Sequence, residues 1–217
     1  KMATEFNPED MYADDDMVIT ISHLGYIKRT PLADFRQQGR GGVGAKASAA
    51  RDEDFIEYVH QANMHSTMMF FTEQGRLYWT KVYELPEGNR QSKGRALQNM
   101  INIQKGDKVC AFIHVKNLSD MEYVQNHYLI FATKNGLMKK TTLEAYSRPR
   151  ANGIIALGLR EDDRLIRVTL TDGNSQMLVA SYNGKVVRFP EDTVRPMGRT
   201  ATGVRAIKLD EDGQDRV

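Results

Sequence analysis

Four segments of this chain align with one another, and that repetition restricts the possible folds more than any other feature. "MVITISHLGYIKRTPL", "MMFFTEQGRLYWTKV", "YLIFATKNGLMKKTTL" and "MLVASYNGKVVRFPE" each carry an apolar run into a two-residue turn and out into a second run. The turn glycines are Gly25, Gly75, Gly136 and Gly184, a recurrence every roughly 50 to 60 positions. The turns themselves are Leu24-Gly25, Gln74-Gly75, Asn135-Gly136 and Asn183-Gly184, and the two Asn-Gly pairs predict type I′ hairpins. A second glycine closes an Arg-rich loop in every copy: "RQQGRGGVG", "RQSKG", "RPRANG" and "RPMGRTATG". The separation from turn glycine to loop glycine (Gly44, Gly94, Gly153, Gly203) is nearly constant, at about 17 to 19 positions.

Two more apolar runs follow each loop, plainest as "MINI" and "KVCAFIHV" in the second copy and "IIALGL" and "RLIRVTL" in the third. Four strands per unit at a period of about 50 residues predict an all-β, propeller-like array of four-stranded blades, each packing against its neighbours. The units are 17–66, 67–126, 127–175 and 176–217, preceded by an acidic extension over 1–16. A doubly wound α/β domain would need helical patterns between strands, which copies two to four lack. In the first copy "AKASAARDEDFIEYVHQA" reads as a helix in isolation, but the alignment places "DFIEYVHQA" on a strand.

The repeat also decides how to read Gly39-x-Gly41-x-x-Gly44, the glycine fingerprint of a dinucleotide-binding turn. That fingerprint requires a strand directly before it and a helix opening on it. Here the preceding apolar run ends about a dozen positions upstream, Arg36 and Arg40 flank the glycines, and the loop leads to a strand. It is one copy of the repeated Gly/Arg loop, so no affinity for NAD or FAD is expected.

No apolar run approaches the roughly 18 to 20 residues of a membrane span. The single cysteine, Cys110, lies in "VCAFIHV" and reads as a buried, inert thiol in a reducing cytoplasm. The five histidines show no metal-ligand spacing. The acidic groups at 52–54 and 161–163 read as turn and strand-end charges, and no nucleophile–base pattern, CxxC or phosphate-loop motif is present, so no catalytic or metal-binding residue is expected.

A formal charge of +2 conceals a strong asymmetry. Six acids precede residue 22 and four follow residue 208, leaving 28 Lys and Arg against 18 Asp and Glu between them, a net of +10. A basic body between acidic ends points to a polyanionic partner. Arginine offers a planar fork matched to phosphate oxygens, and glycine permits close backbone approach. The candidate phosphate grips are therefore Arg36, Arg40 and Lys46; Arg90, Lys93 and Arg95; Arg148 and Arg150; and Arg195, Arg199 and Arg205. The hairpins add Lys28, Arg29, Arg76, Lys81, Lys139, Lys140, Lys185 and Arg188, although half-buried strands also carry charge on an outward face for reasons of their own. Tyr78 and Trp79 read as blade packing. Without a row of aromatics to stack bases, duplex held by its phosphates is favoured over single strands.

The units "LGYIKRTPL", "RGGVGAKASAARDEDFI", "GRLYWTKVYELPE", "SRPRANGIIAL" and "GKVVRFPEDTVRPMGRTATGVRAIKL" resemble the C-terminal DNA-wrapping domain of the DNA gyrase A subunit, along nearly the whole chain from about residue 17. The resemblance implies a β-pinwheel, a propeller-like disc of usually six blades that hand strands to their neighbours. It implies duplex DNA bent around a basic rim, so that the holoenzyme introduces negative supercoils using ATP. The family's signature box, Gln-Arg-Arg-Gly-Gly-Lys-Gly, corresponds to Gln38, Gly39, Arg40, Gly41, Gly42, Val43 and Gly44. Gly39 and Val43 replace two basic residues, a departure toward the A subunit of topoisomerase IV, whose boxes are degenerate and blades fewer. The retained Gln38, Arg40 and box glycines keep gyrase ahead, and Arg36 and Lys46 supply part of the missing charge. The resemblance further implies no cofactor for this domain, with ATP and Mg used by the holoenzyme. The implied partners are duplex DNA, the rest of the A subunit and the gyrase B subunit, in the bacterial cytoplasm and without a membrane. Only four units are present, the fourth stopping at "DRV" where its last strand is expected, and the chain starts at Lys1 without methionine. Both features suggest part of a larger subunit whose cleavage tyrosine and ATPase lie elsewhere. A protein-binding propeller that meets an acidic partner is the alternative from another class.

Overall fold

The computed structural model describes residues 6–37, 54–89, 91–211 and 213–217. In chain order the strands are β1 (Asp16–Ser22), β2 (Tyr26–Pro31), β3 (Ile56–Asn63), β4 (Thr67–Thr72), β5 (Arg76–Lys81), β6 (Arg95–Ala96) and β7 (Val109–Val115). They continue as β8 (Tyr128–Thr133), β9 (Leu137–Thr142), β10 (Ile154–Ile155), β11 (Leu165–Thr171), β12 (Gln176–Ala180), β13 (Val186–Pro190) and β14 (Val204–Arg205). Two short helices, α1 (Leu32–Gln37) and α2 (Met121–Asn126), interrupt them. The segment that could pass for a helix from 45 ends in β3, as the repeat alignment requires.

The aligned runs form the four hairpins β1–β2, β4–β5, β8–β9 and β12–β13. Their turns differ from the type I′ expectation. The N–H groups of Gly25, Gly75, Gly136 and Gly184 donate to the carbonyls of Ser22, Thr72, Thr133 and Ser181 three residues back. These glycines have φ of 85°, 82°, 84° and 89°, while no non-glycine among the described residues has a positive φ. Type I′ needs positive φ at both central residues, so each turn is type I followed by a left-handed glycine. An aspartate holds the residue before the glycine instead. Asp54 accepts from the Leu24 N–H, Asp107 from Gln74, Asp163 from Asn135 and Asp215 from Asn183, at 2.9–3.1 Å.

The sheets have the orders β3-β1-β2-β6, β10-β5-β4-β7 and β11-β8-β9-β14, with β12-β13 as a separate pair. In each four-stranded sheet the hairpin is central. One outer strand ends the same repeat (β3, β7, β11), and the other is a two-residue strand from the next repeat's loop (β6, β10, β14). "IIALGL" therefore leaves its own unit, with Ile154 opposite Leu77 of the preceding hairpin. Three units show the expected four-stranded blade, and in the fourth the hairpin β12–β13 pairs with no further strand among the described residues.

The exchange also explains the second periodic glycine. A Cβ at Gly94 would lie 2.3 Å from Ile27 O, at Gly153 2.6 Å from Leu77 O and at Gly203 2.2 Å from Met138 O. The backbone crosses the preceding hairpin too closely for any side chain. In these three loops the close approach that glycine permits is to protein, not to a phosphate.

By internal packing the chain divides into two compact units, residues 1–68 with 80–102 and residues 69–79 with 103–217. In the first, β1 is buried continuously from Met17 to Ser22, which explains why its apolar residues do not alternate. The acidic extension packs onto the same unit. Asp14 and Asp16 accept hydrogen bonds from the His65 N–H and the Asn63 amide, Tyr12 stacks on Tyr83 at 5.0 Å, and Glu9 pairs with Lys81. In the second unit Met69, Phe71, Leu77, Phe131, Tyr146 and Leu157 anchor the core, with the Phe71 and Phe131 rings edge to face at 5.6 Å. Each such buried side chain contributes about 1.5–3 kcal/mol. Burial pushes the Cys110 thiol up to about 12, leaving it unreactive at neutral pH.

Candidate nucleic-acid interface

The hairpin cations divide into internal and external groups, and the internal ones correct the sequence expectation. Lys28 and Arg29 are each 8% exposed, Lys139 is 0% and Lys140 is 4%. All four are occupied within the fold. Lys28 Nζ donates to Asn89 O at 2.7 Å and Ser92 O at 2.8 Å, and Arg29 Nε to Leu85 O at 2.8 Å. Lys139 Nζ donates to Ala156 O at 2.6 Å and to Arg199 O, with the Phe131 ring centre 4.9 Å away. Lys140 Nζ lies 3.5 Å from the buried Glu191 carboxylate. In the second hairpin Tyr78 and Trp79 stand at these positions, and Trp79 Nε1 donates to Tyr146 O at 3.0 Å. Leu85 and Tyr146 occupy matching places after successive hairpins, so Arg29 and Trp79 tie each hairpin to the following repeat. A buried ammonium is tolerated because carbonyls and rings replace its water, and none of these four reaches the surface to meet a phosphate.

Burial, and secondarily the nearby Arg199 guanidinium, push the Lys139 ammonium down to about 7 from 10.5. Burial also lowers Lys28. The sign for stability follows: between about pH 7 and 10.5 the unfolded chain holds a proton at Lys139 that the folded chain has released, so stability rises with pH. The unfolding free energy of the parent minus that of Lys139→Met is therefore expected to grow with pH from 7 to 9, the slope rising from about half of 1.4 kcal/mol per pH unit toward that value as the folded group loses its proton. Urea denaturation of both proteins across that range checks it, and a constant difference would contradict the placement of Lys139.

Three further candidates are engaged by the next repeat's loop or by the acidic segments. Arg76 donates to Asn152 O at 3.0 Å, Lys81 pairs with Glu9, and Lys185 pairs with Asp210. The exposed set is Arg36 on α1, Lys93 and Arg95, Arg148 and Arg150, Arg188, Arg195 and Arg205, with Arg199 half-buried. Lys93 lies 4.1 Å from the Tyr26 ring centre. The box residues Gln38, Gly39, Arg40, Gly41, Gly42, Val43 and Gly44, together with Lys46 and Arg90, lie outside the described residues. Exposed Lys105, Lys116, Arg160 and Arg167 escape a search based on the repeat, because they fall between the aligned loops.

Within the second unit, Arg148 and Arg150 of the third repeat and Arg199 of the fourth line one open depression of about 270 Å³, together with Glu144, Met121 and Ile154. Strand exchange brings them together. The fourth repeat's loop is pinned beside the segment after β10 by Lys139 and by the Gly158 N–H to Ala201 O bond at 3.1 Å, and beside β9 by Met197 N–H to Lys140 O at 2.7 Å.

A family model described as DNA gyrase C-terminal domain, beta-propeller, matches residues 16–63, 66–116, 127–172 and 176–217, one segment per repeat. The chain belongs to this DNA gyrase C-terminal domain family. The DNA gyrase A subunit of Haemophilus influenzae is 46% identical over 201 residues, covering 93% of this chain and 22% of the relative. The chain thus spans less than a quarter of the length of that protein. The crystal structure of the C-terminal domain of DNA topoisomerase IV superposes with a TM-score of 0.75 at 28% identity, covering 95% of this chain and 60% of the other. A DNA gyrase A C-terminal domain structure gives 0.67 at 22% identity, covering 93% and 63%. The fold of this gyrase-family chain is accordingly the all-β pinwheel type, with its short outer strands exchanged between repeats.

Proposed function

We propose that this chain binds and bends duplex DNA through exposed arginines on successive repeat loops, as the C-terminal domain of a gyrase A subunit. The observation that carries the reading is the convergence of Arg148, Arg150 and Arg199 on one open surface. Family membership supports it, and the 46% identity to a gyrase A subunit favours gyrase over topoisomerase IV. In this reading the domain performs no chemistry and needs no cofactor. ATP, Mg, strand cleavage and the gyrase B subunit belong to the holoenzyme, in the bacterial cytoplasm, whose negative supercoiling this domain assists. The box from Gln38 to Gly44 holds one end of the wrap.

Duplex affinity is expected to depend little on sequence and strongly on salt, with log K falling against log salt at about −0.9 per phosphate neutralised and at least about four phosphates engaged. Titration of a labelled duplex at several salt concentrations measures the slope. A slope near zero would remove the basic surface from the function and favour a protein partner. Strong preference for one short sequence would demand base contacts that the phosphate reading lacks.

A further inference from the structure

We propose that the depression lined by Arg148, Arg150 and Arg199 is a single phosphate subsite for the DNA backbone, built jointly by the third and fourth repeats. The inference rests on the DNA-binding reading above and narrows it. The repeat pattern suggests that each loop grips its own phosphate, whereas here two loops share one.

Three observations support a shared site. The guanidinium-bearing loops are fixed to one another through backbone atoms. Arg150 O closes a turn by accepting from the Gly153 N–H at 3.0 Å, β10 then pairs with β5, and Gly158 just beyond it donates to Ala201 O at 3.1 Å. The carbonyl of Arg199 itself is bound by the buried Lys139 ammonium, so the start of that side chain is held beside Ala156, the residue after β10, whose carbonyl Lys139 also binds. Moving either loop would break these bonds, which gives the subsite a preorganised geometry.

The second observation is charge. Three arginines and one carboxylate, Glu144, line the depression, and among the described residues none of the three arginines forms an ion pair, although Arg199 Nη1 donates to Ile155 O. An uncompensated cluster of planar forks matches the oxygens of a phosphate better than any neutral ligand. Size is the third: about 270 Å³ holds a phosphodiester group with some of its water but is below the range of most small-molecule pockets. Met121 and Ile154 provide an apolar wall on which an adjoining deoxyribose can rest.

A double-mutant cycle distinguishes a shared phosphate from two separate ones. The 217-residue chain, Arg150→Ala, Arg199→Gln and the double variant are each titrated with a duplex of about 20–30 base pairs, the length over which bending is appreciable. Glutamine at 199 keeps a donor for the Ile155 carbonyl that Arg199 now uses. A thermal melt of each variant, expected to match the parent, confirms that loss of binding is not loss of fold. Each single change is expected to weaken binding about ten-fold. The double variant is expected to be only slightly weaker than either single one, with the salt slope reduced by about one phosphate. A hundred-fold loss in the double variant, with the slope reduced by about two phosphates, would mean separate grips and overturn the proposal. Unchanged affinity in both single variants would overturn it while leaving DNA binding by the domain intact. A parent that binds no duplex at all would sink the functional reading itself. In a parallel arm, inorganic phosphate is titrated while the arginine Nε–H signals are followed by NMR. Signals of Arg150 and Arg199 that move together with one shared affinity support the subsite, and signals that titrate with clearly different affinities overturn it.

Discussion

Alanine at position 203 is expected to detach β14 from the third sheet and to cost about 2–6 kcal/mol, the sum of a backbone and a steric penalty. Gly203 has φ of 103°, a region that an L residue enters at a cost of roughly 1–3 kcal/mol. Its Cβ would also lie 2.2 Å from Met138 O, and relieving an overlap with rigid backbone costs roughly another 1–3 kcal/mol. Because the neighbour is backbone in the middle of a hairpin, no side-chain rearrangement makes room. The effect is expected to be local first. The Ala206 N–H now donates to Gly136 O at 2.8 Å, and hydrogen exchange at that amide should accelerate by several orders of magnitude, whereas amides in β8 change little. Gly198→Ala in the same loop is the control, since nothing lies within 4 Å of a Cβ there. If Gly203→Ala and Gly198→Ala melt together, glycine is not required by the crossing, and its regular spacing needs another cause.

Removing the Glu191 carboxylate should have a comparable effect by a different route. Glu191 is 0% exposed and Lys140 only 4%. The carboxylate faces Lys140 Nζ at 3.5 Å and also accepts from the Thr171 hydroxyl and, at 3.1 Å, the Ser175 N–H. Glu191→Leu leaves a buried ammonium without its counter-charge, and breaking one side of such a pair costs about 3–5 kcal/mol. Lys140→Met alone strands the carboxylate but leaves it two donors, so its cost is smaller. The double variant replaces both charges with apolar groups and is expected to recover most of the loss, since a well-packed apolar pair rivals a buried ion pair. Urea unfolding of the four proteins gives the coupling energy directly. A double variant as unstable as the sum of the singles would mean that the two charges do not interact. Because Lys140 is internal, its neutral variant should change DNA affinity only through stability.

The features that repeat with short range are legible without the structure, because local backbone chemistry determines them. An apolar run, a glycine able to take positive φ, and a second run specify a hairpin whichever neighbours surround it. Four copies of that pattern therefore establish an all-β array, and the constant spacing to a second glycine marks a close backbone approach, which only the structure assigns to the preceding hairpin and not to a phosphate. Even here the turn type departs from expectation at Asn135-Gly136 and Asn183-Gly184. Their geometry depends on Asp163 and Asp215, which arrive from the far end of the same repeat, and one aspartate per repeat is too common a residue to announce itself. The partner of each short strand is likewise hidden, since two residues such as Ile154–Ile155 pair equally well with any open edge, and only packing chooses the preceding hairpin. The same exchange decides the fate of the hairpin lysines. A lysine in a strand ordinarily marks the face turned to water, which is the expectation for Lys28 and Lys139. The next repeat covers that face and presents its carbonyls to the ammonium, so the charge becomes a cross-link between repeats. The basic surface belongs instead to arginines on the loops, and that Arg148 and Arg150 meet Arg199 of the following repeat is a consequence of tertiary structure alone. Composition shows that the body of the chain is basic; only the folding of each repeat onto the one before it determines which charges remain free.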